Sequence, residues 1–197
     1  MPLGAHKAAI MGVAGVSTAD VVLLSYTDHS NVATASITSG ITSTYGEYIF
    51  KFYNINPATD AATFYFYGST DGGSNYGVTK TTTFGPYANV DESNGSNTNF
   101  GYHSSKDRAQ STDAHFLSYS LGNGADESIA GELHLFNPAS TTYIKHFYAR
   151  TVEYLSIDYA GENNSSGYFN TTSAITAVKF AFSSGNFDGL IKMWGVK

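Results

Sequence analysis

The chain has 197 residues, with ten lysines and arginines against sixteen aspartates and glutamates and a formal net charge of −6. That balance excludes a nucleic-acid binder, which needs clustered basic side chains to neutralise phosphates, and it disfavours anionic lipid surfaces. Cysteine is absent, which excludes disulfides and thiolate chemistry, while a hydrophobic share of 42% supplies a sizeable core without covalent staples.

No apolar run reaches the roughly 20 residues of a membrane-spanning helix. Only 13% of residues are charged, so Ser, Thr, Asn and backbone groups make up most of the polar surface, a composition that favours adhesion to partners. The length suits one all-β domain, read here as a single β-sandwich over residues 21–197 preceded by an arm or first element over residues 1–20.

Residues 1–16 carry Lys7 ahead of the small apolar run 8–16, the outline of a signal peptide, but Gly12 and Gly15 interrupt it. Two readings stand: a buried first strand or short helix, or an assembly arm in which Ala8, Ile10, Met11 and Val13 insert into a neighbouring subunit. Residues 20–28 then read as a strand, and the Ser/Thr-rich stretch 31–44 as a loop or weak edge strand.

Residues 47–54 and 63–67 are strands with aromatics on both faces: Tyr48, Phe50 and Phe52 against Tyr53, then Phe64 and Phe66 against Tyr65 and Tyr67. Strands of this kind are expected to be covered on both sides, within stacked sheets or an interface. The turn at Asn56-Pro57 recurs at Asn137-Pro138, again between two strands, so either a duplication or shared turn chemistry explains it. Loops are expected at 68–77, 89–99 and 101–111, strands at 115–121, 129–136, 143–149 and 152–159, and a further loop at 161–167.

Residues 174–197 close the chain as two strands, with Val178, Phe180 and Phe182 on one face and Ala177, Lys179 and Ala181 on the other. The two strands read as a closing hairpin, or, since the link 183–189 is longer than a tight hairpin turn, as a crossing from one sheet to another. Roughly nine or ten short strands with turn signals about every 8 to 12 residues predict an all-β antiparallel β-sandwich, specifically a jelly roll, with a short N-terminal arm.

Candidate chemistry is sparse. Glu132 and His134, with His146 across the Asn137-Pro138 turn, offer metal-ligand types, and the Asp71 and Asp91 loops offer oxygens for calcium, although neither spacing is that of an EF-hand. Glu47, Glu132, Glu153 and Asp158 are strand carboxylates of the kind a glycosidase pairs across a cleft. The simpler reading makes all of these surface, interface or turn residues, so no catalytic set, metal or cofactor is expected. Fifteen tyrosines are the one unusual excess. A flat apolar ring with a hydroxyl tip suits wet interfaces and sugar stacking alike, and Tyr65, Tyr67, Tyr76, Tyr87 and Tyr102 are the candidates for an interface or a glycan platform.

The ending, with its Ser-Ser-Gly-Asn-Phe and its Gly-Leu-Ile-Lys-Met-Trp-Gly-Val, together with residues 47–75 and 131–147, resembles a group of β-rich virion proteins of tailed, especially marine, bacteriophages. The resemblance implies a non-enzymatic structural protein of the virion, in capsid decoration, tail or fibre, assembled in the host cytoplasm. The partners it implies are other virion proteins and further copies of the chain, with a homotrimer favoured. The alternative is a module that binds carbohydrate or a host surface glycan.

Overall fold

In the segment Lys-His-Phe-Tyr-Ala-Arg-Thr-Val-Glu-Tyr-Leu from residue 145, every second side chain is buried and most of those between are exposed. This period of two, repeated along the chain, builds the whole fold. The computed structural model describes the backbone of residues 20–90 and 98–197 and the side chains of 20–86 and 101–197. The proposed arm residues Ala8, Ile10, Met11 and Val13 lie outside the described residues.

Among the described residues thirteen strands follow in chain order. They are β1 (Val21–Val32), β2 (Thr34–Ile37), β3 (Glu47–Pro57), β4 (Phe64–Ser69), β5 (Lys80–Val90), β6 (Thr98–Phe100) and β7 (Arg108–Ser111). The rest are β8 (His115–Phe116), β9 (Ile129–Phe136), β10 (Lys145–Leu155), β11 (Tyr159–Phe169), β12 (Ala177–Phe182) and β13 (Phe187–Val196). Among the described residues the one helix is a single 3-10 turn, Ser104–Lys106.

The strands form two antiparallel sheets packed as a sandwich. One has nine strands in the order β1-β13-β3-β9-β10-β11-β5-β6 with β7 also on β5, and the other has four in the order β2-β12-β4-β8. The chain passes repeatedly between the layers: β1, β3, β9 and β13 lie in the large sheet and β2, β4, β8 and β12 in the small one. The closing pair divides in the same way, so β12 and β13 are not a hairpin and residues 183–186 cross between layers, the second of the two readings of that link.

The core is an aromatic layer between the sheets. Phe50 and Phe52 from β3 meet Phe180 from β12 at ring distances of 5.5 and 5.1 Å, and Phe66 from β4 meets Phe147 from β10 at 5.4 Å. Each fully buried side chain of this kind is worth about 1.5–3 kcal/mol, and an aromatic pair adds about 0.5–1.5 kcal/mol. Gly68 makes one contact possible, because a Cβ there would fall 2.5 Å from the Phe169 ring.

Several expectations change. Residues 143–149 and 152–159 are not two strands: β10 runs unbroken through both, and the expected loop 161–167 lies within β11. The expected strand 115–121 shortens to β8, and 101–111 carries the 3-10 turn and β7. The two Asn-Pro turns make different connections. The first joins β3 to β4 in opposite sheets, the second joins neighbours β9 and β10, and only Asn137 is left-handed, at φ 44°. Nor are β3 and β4 sealed on both sides within the subunit, since Tyr53 is 39% exposed and Tyr65 and Tyr67 are half-buried.

Candidate functional site: a tyrosine platform leading to a carboxyl pocket

Strands β12 and β4 are adjacent, with Lys179 opposite Tyr67 and Ala181 opposite Tyr65. Alternation therefore turns Lys179, Tyr67 and Tyr65 to the outer face of the four-stranded sheet. There Lys179 Nζ lies 4.3 Å from the centre of the Tyr67 ring and 4.7 Å from that of Tyr76, a cation held between two rings. Tyr67 meets Tyr65 edge to face at 6.4 Å, and Tyr65 meets Phe116 of β8 at 5.1 Å.

Burial raises the phenol pKa of Tyr65 and of Tyr67, partly offset by the positive charge of Arg108, and burial lowers the ammonium pKa of Lys179. The structure thus brings three of the five candidate tyrosines together. Tyr102 is not part of this row: it is 63% exposed and its hydroxyl donates to Asp107 Oδ2. Tyr87 lies on β5, and its side chain falls outside those described.

The row continues beyond Phe116. Arg108 stands 4.9 Å and Lys106 5.2 Å from the Phe116 ring centre, and Lys106 also lies 4.3 Å from that of Tyr119, which in turn meets His103 at 6.1 Å. His103 and Tyr119 form one wall of a pocket of about 320 Å³, completed by Leu155, Tyr159, Asn163 and Glu153 among others. Lys106, from the short 3-10 turn, thereby links platform and pocket.

Glu153 reaches the pocket because odd-numbered residues of β10 point inward. Its cross-strand partner is Gly161, where a Cβ would stand 3.0 Å from the Glu153 Cγ, so a larger residue would crowd the carboxyl. Glu153 Oε1 accepts from Asn163 Nδ2 at 2.8 Å and from the Tyr119 N–H at 3.4 Å. Ser118 lies close enough to favour the ionised form, yet Oε2 is buried and receives no hydrogen bond of normal geometry. Burial prevails, and the carboxyl pKa is pushed up to about 7.

Around Glu153 the inner face of this end of the large sheet is polar. Thr151 Oγ1 donates to the Leu117 carbonyl at 2.5 Å, and Asn163 Nδ2 also reaches Thr151 Oγ1 at 3.3 Å. His115 Nε2 bonds Ser165 Oγ at 3.0 Å, while Lys80 Nζ donates to the Asp113 and Thr112 carbonyls at 2.5 and 3.2 Å. Burial, with the neighbouring charges of Lys80 and Arg108, pulls the His115 pKa down to about 3. Lys80 falls to about 8, mainly through burial.

The other candidates do not converge on this pocket. Glu47 and Glu132 lie on the outer face of the large sheet, where His134 Nδ1 contacts Glu47 Oε1 at 2.5 Å, His134 Nε2 lies 3.3 Å from Glu132 Oε1, and Lys51 pairs with Glu132 at 3.3 Å. Burial alone would raise the Glu132 pKa, but His134 and Lys51 outweigh it and hold it below the ordinary value. His146 packs against Tyr168 at 6.0 Å, and no group of three His, Asp or Glu among the described residues could hold a metal ion.

Asp158 sits in the turn after β10 within 3.4 Å of the Tyr154 hydroxyl, and Glu153 is the one carboxyl among the described residues lining the pocket. Asp71 caps its own loop, accepting from Ser69 Oγ at 2.6 Å and from the Asn75 N–H at 2.9 Å, and Asp91 lies outside the described residues. The sequence marks Glu153 only as one of four strand carboxylates; that it faces Gly161 and lines a pocket follows from the pairing of β10 with β11. No protein-family model, no curated protein and no solved structure matches the chain.

Proposed function

We propose that this protein is a non-enzymatic structural component of a tailed-phage virion, in capsid decoration, tail or fibre, and that it works by binding copies of itself and other virion proteins. The observation that carries this reading is β1, a 12-residue strand at the edge of the large sheet. On it Val21, Leu23 and Tyr26 are 53%, 44% and 59% exposed. A long edge strand with apolar side chains and no Lys or Pro to blunt it invites pairing with another chain.

Two features support the same reading. The ending of the chain resembles phage virion proteins. With β1-β13-β3-β9 as one leaf and β2-β12-β4-β8 as the other, the strand order is also that of two interleaved Greek keys. We take the sandwich as a jelly roll, an architecture of viral capsid and lectin domains, widened on one leaf by β10, β11 and β5 to β7. Native mass spectrometry of the full chain tests the assembly: a homo-oligomer, with a trimer favoured, is expected, and a monomer at every concentration removes the reading.

A second reading, recognition of carbohydrate or of a host surface glycan, is favoured by the platform of Tyr65, Tyr67 and Tyr76 with Lys179. The half-buried rings of Tyr65 and Tyr67 on the outer sheet face present flat apolar surfaces and hydroxyls to a sugar, and the Tyr76 ring, its own hydroxyl buried, closes over Lys179 beside them. Glycan-array binding that disappears in Tyr67→Ala supports it. An array with no signal, or one unchanged by Tyr67→Ala, ends it.

A further inference from the structure

We propose that the pocket behind Tyr119 is a binding site for a single sugar ring, with Tyr119 stacking on its face and the buried Glu153 and Asn163 engaging its hydroxyls. The inference deepens the glycan reading by naming the ligand class of one subsite. It begins from Glu153, which lies almost wholly out of solvent with one oxygen, Oε2, lacking a hydrogen-bond partner. A buried polar atom left unpaired costs free energy, and a ligand hydroxyl that accepts from Oε2 of the neutral carboxyl, or donates to it once the carboxyl is ionised, removes that cost.

The lining narrows the ligand. Tyr119 is 39% exposed and Tyr159 half-buried, so rings border an opening while Leu155 supplies an apolar wall. Rings for the C–H face of a pyranose, beside one carboxyl and one amide for its hydroxyls, are the complement of a sugar. A volume of about 320 Å³ sits at the lower end of the range for small-molecule sites. A glycosidase would need a second carboxyl facing the first. Glu153 has no such partner among the described lining residues, and the assigned activity is binding.

Position adds a second argument. The row from Tyr76 through Lys179, Tyr67, Tyr65, Phe116 and Lys106 ends at Tyr119 on the pocket wall. A glycan lying along the platform would therefore bring one sugar to the pocket, which makes this the subsite that fixes register. The platform stacks without directional selection, and the pocket selects by hydroxyl geometry.

The test uses the full chain, labelled with 15N, titrated with free glucose, galactose, mannose and N-acetylglucosamine. At least one sugar should shift the amides of Tyr119, Ser120, Leu155 and Asn163. Tyr119→Ala and Glu153→Ala should each weaken that sugar roughly tenfold, as expected for the loss of one good contact. Tyr143→Ala, at an exposed residue outside both platform and pocket, should leave monosaccharide binding unchanged.

No pocket shift with any of the four sugars overturns the proposal, as does a folded Tyr119→Ala or Glu153→Ala chain that binds as before. If Glu153→Ala fails to fold, the exposed Tyr119 decides the matter. Shifts confined to Tyr67 and Lys179 overturn the pocket while leaving the platform reading intact, and silence here together with a blank glycan array ends both.

Discussion

Asn163 Nδ2 donates to Glu153 Oε1 at 2.8 Å, tying β11 to β10 beneath the pocket. The bond favours the ionised carboxyl, yet burial dominates and lifts its pKa from 4.5 to about 7. The folded value lies above the unfolded one, so between them the unfolded chain holds fewer protons, and stability falls as pH rises from about 4.5 to about 7. His115 acts in the opposite sense. Its pKa drops from 6.5 to about 3, so stability falls as pH descends through that interval. The two effects oppose each other between about 4.5 and 6.5, and that window is where their combined contribution to stability is greatest.

Glu153→Gln isolates one side of this balance. The variant should be more stable than the parent at about pH 8, by of order 3 kcal/mol, with the difference shrinking towards zero at about pH 4. Urea unfolding across that range measures it. A difference independent of pH would mean that the carboxyl is not held neutral by burial.

Phe180 is the centre of the aromatic layer, meeting Phe50, Phe52, Phe64 and Phe66 at ring distances of 5.5, 5.1, 6.0 and 5.6 Å. Phe180→Ala should cost about 3–5 kcal/mol, the sum of lost transfer energy and the cavity left behind. Gly68→Ala should also destabilise the fold, because the Phe169 ring has to move to admit a methyl group. Denaturant melts check both, and a loss under about 1 kcal/mol at Phe180 would contradict the packing described.

The charge ladder on the large sheet should matter far less. Lys51 and Glu132 pair at 3.3 Å with side chains 42% and 39% exposed. Exposed pairs contribute about 0–1 kcal/mol, so Glu132→Gln should change stability by no more than that, and the change should shrink with added salt. A larger effect in the same melts would mean that His134, between Glu132 and Glu47, holds the strands together more strongly than its exposure implies.

Strands whose inward positions are apolar were legible in the sequence, as with Val178, Phe180 and Phe182, and the crossing after them was one of two readings of that link. Strand β11 was not. Its inward Asn163 and Ser165 are polar because they face Thr151, Glu153 and His115, so the alternation carries no hydrophobic signal. Residue type marked Tyr65, Tyr67 and Tyr76 as candidates. Lys179 between two of them depends on the pairing of β12 with β4, a long-range fact that spacing does not contain. Glu153 was singled out as half of an acid pair, but Glu47 and Glu132 turned out to face the other side of the sheet.

Mass photometry of the full chain beside a Leu23→Lys/Tyr26→Lys variant tests the assembly account most directly. Both side chains are exposed, so the variant should still fold while its oligomer falls apart to single subunits. A variant that assembles as the parent does, or a parent already found only as single subunits, would contradict the account.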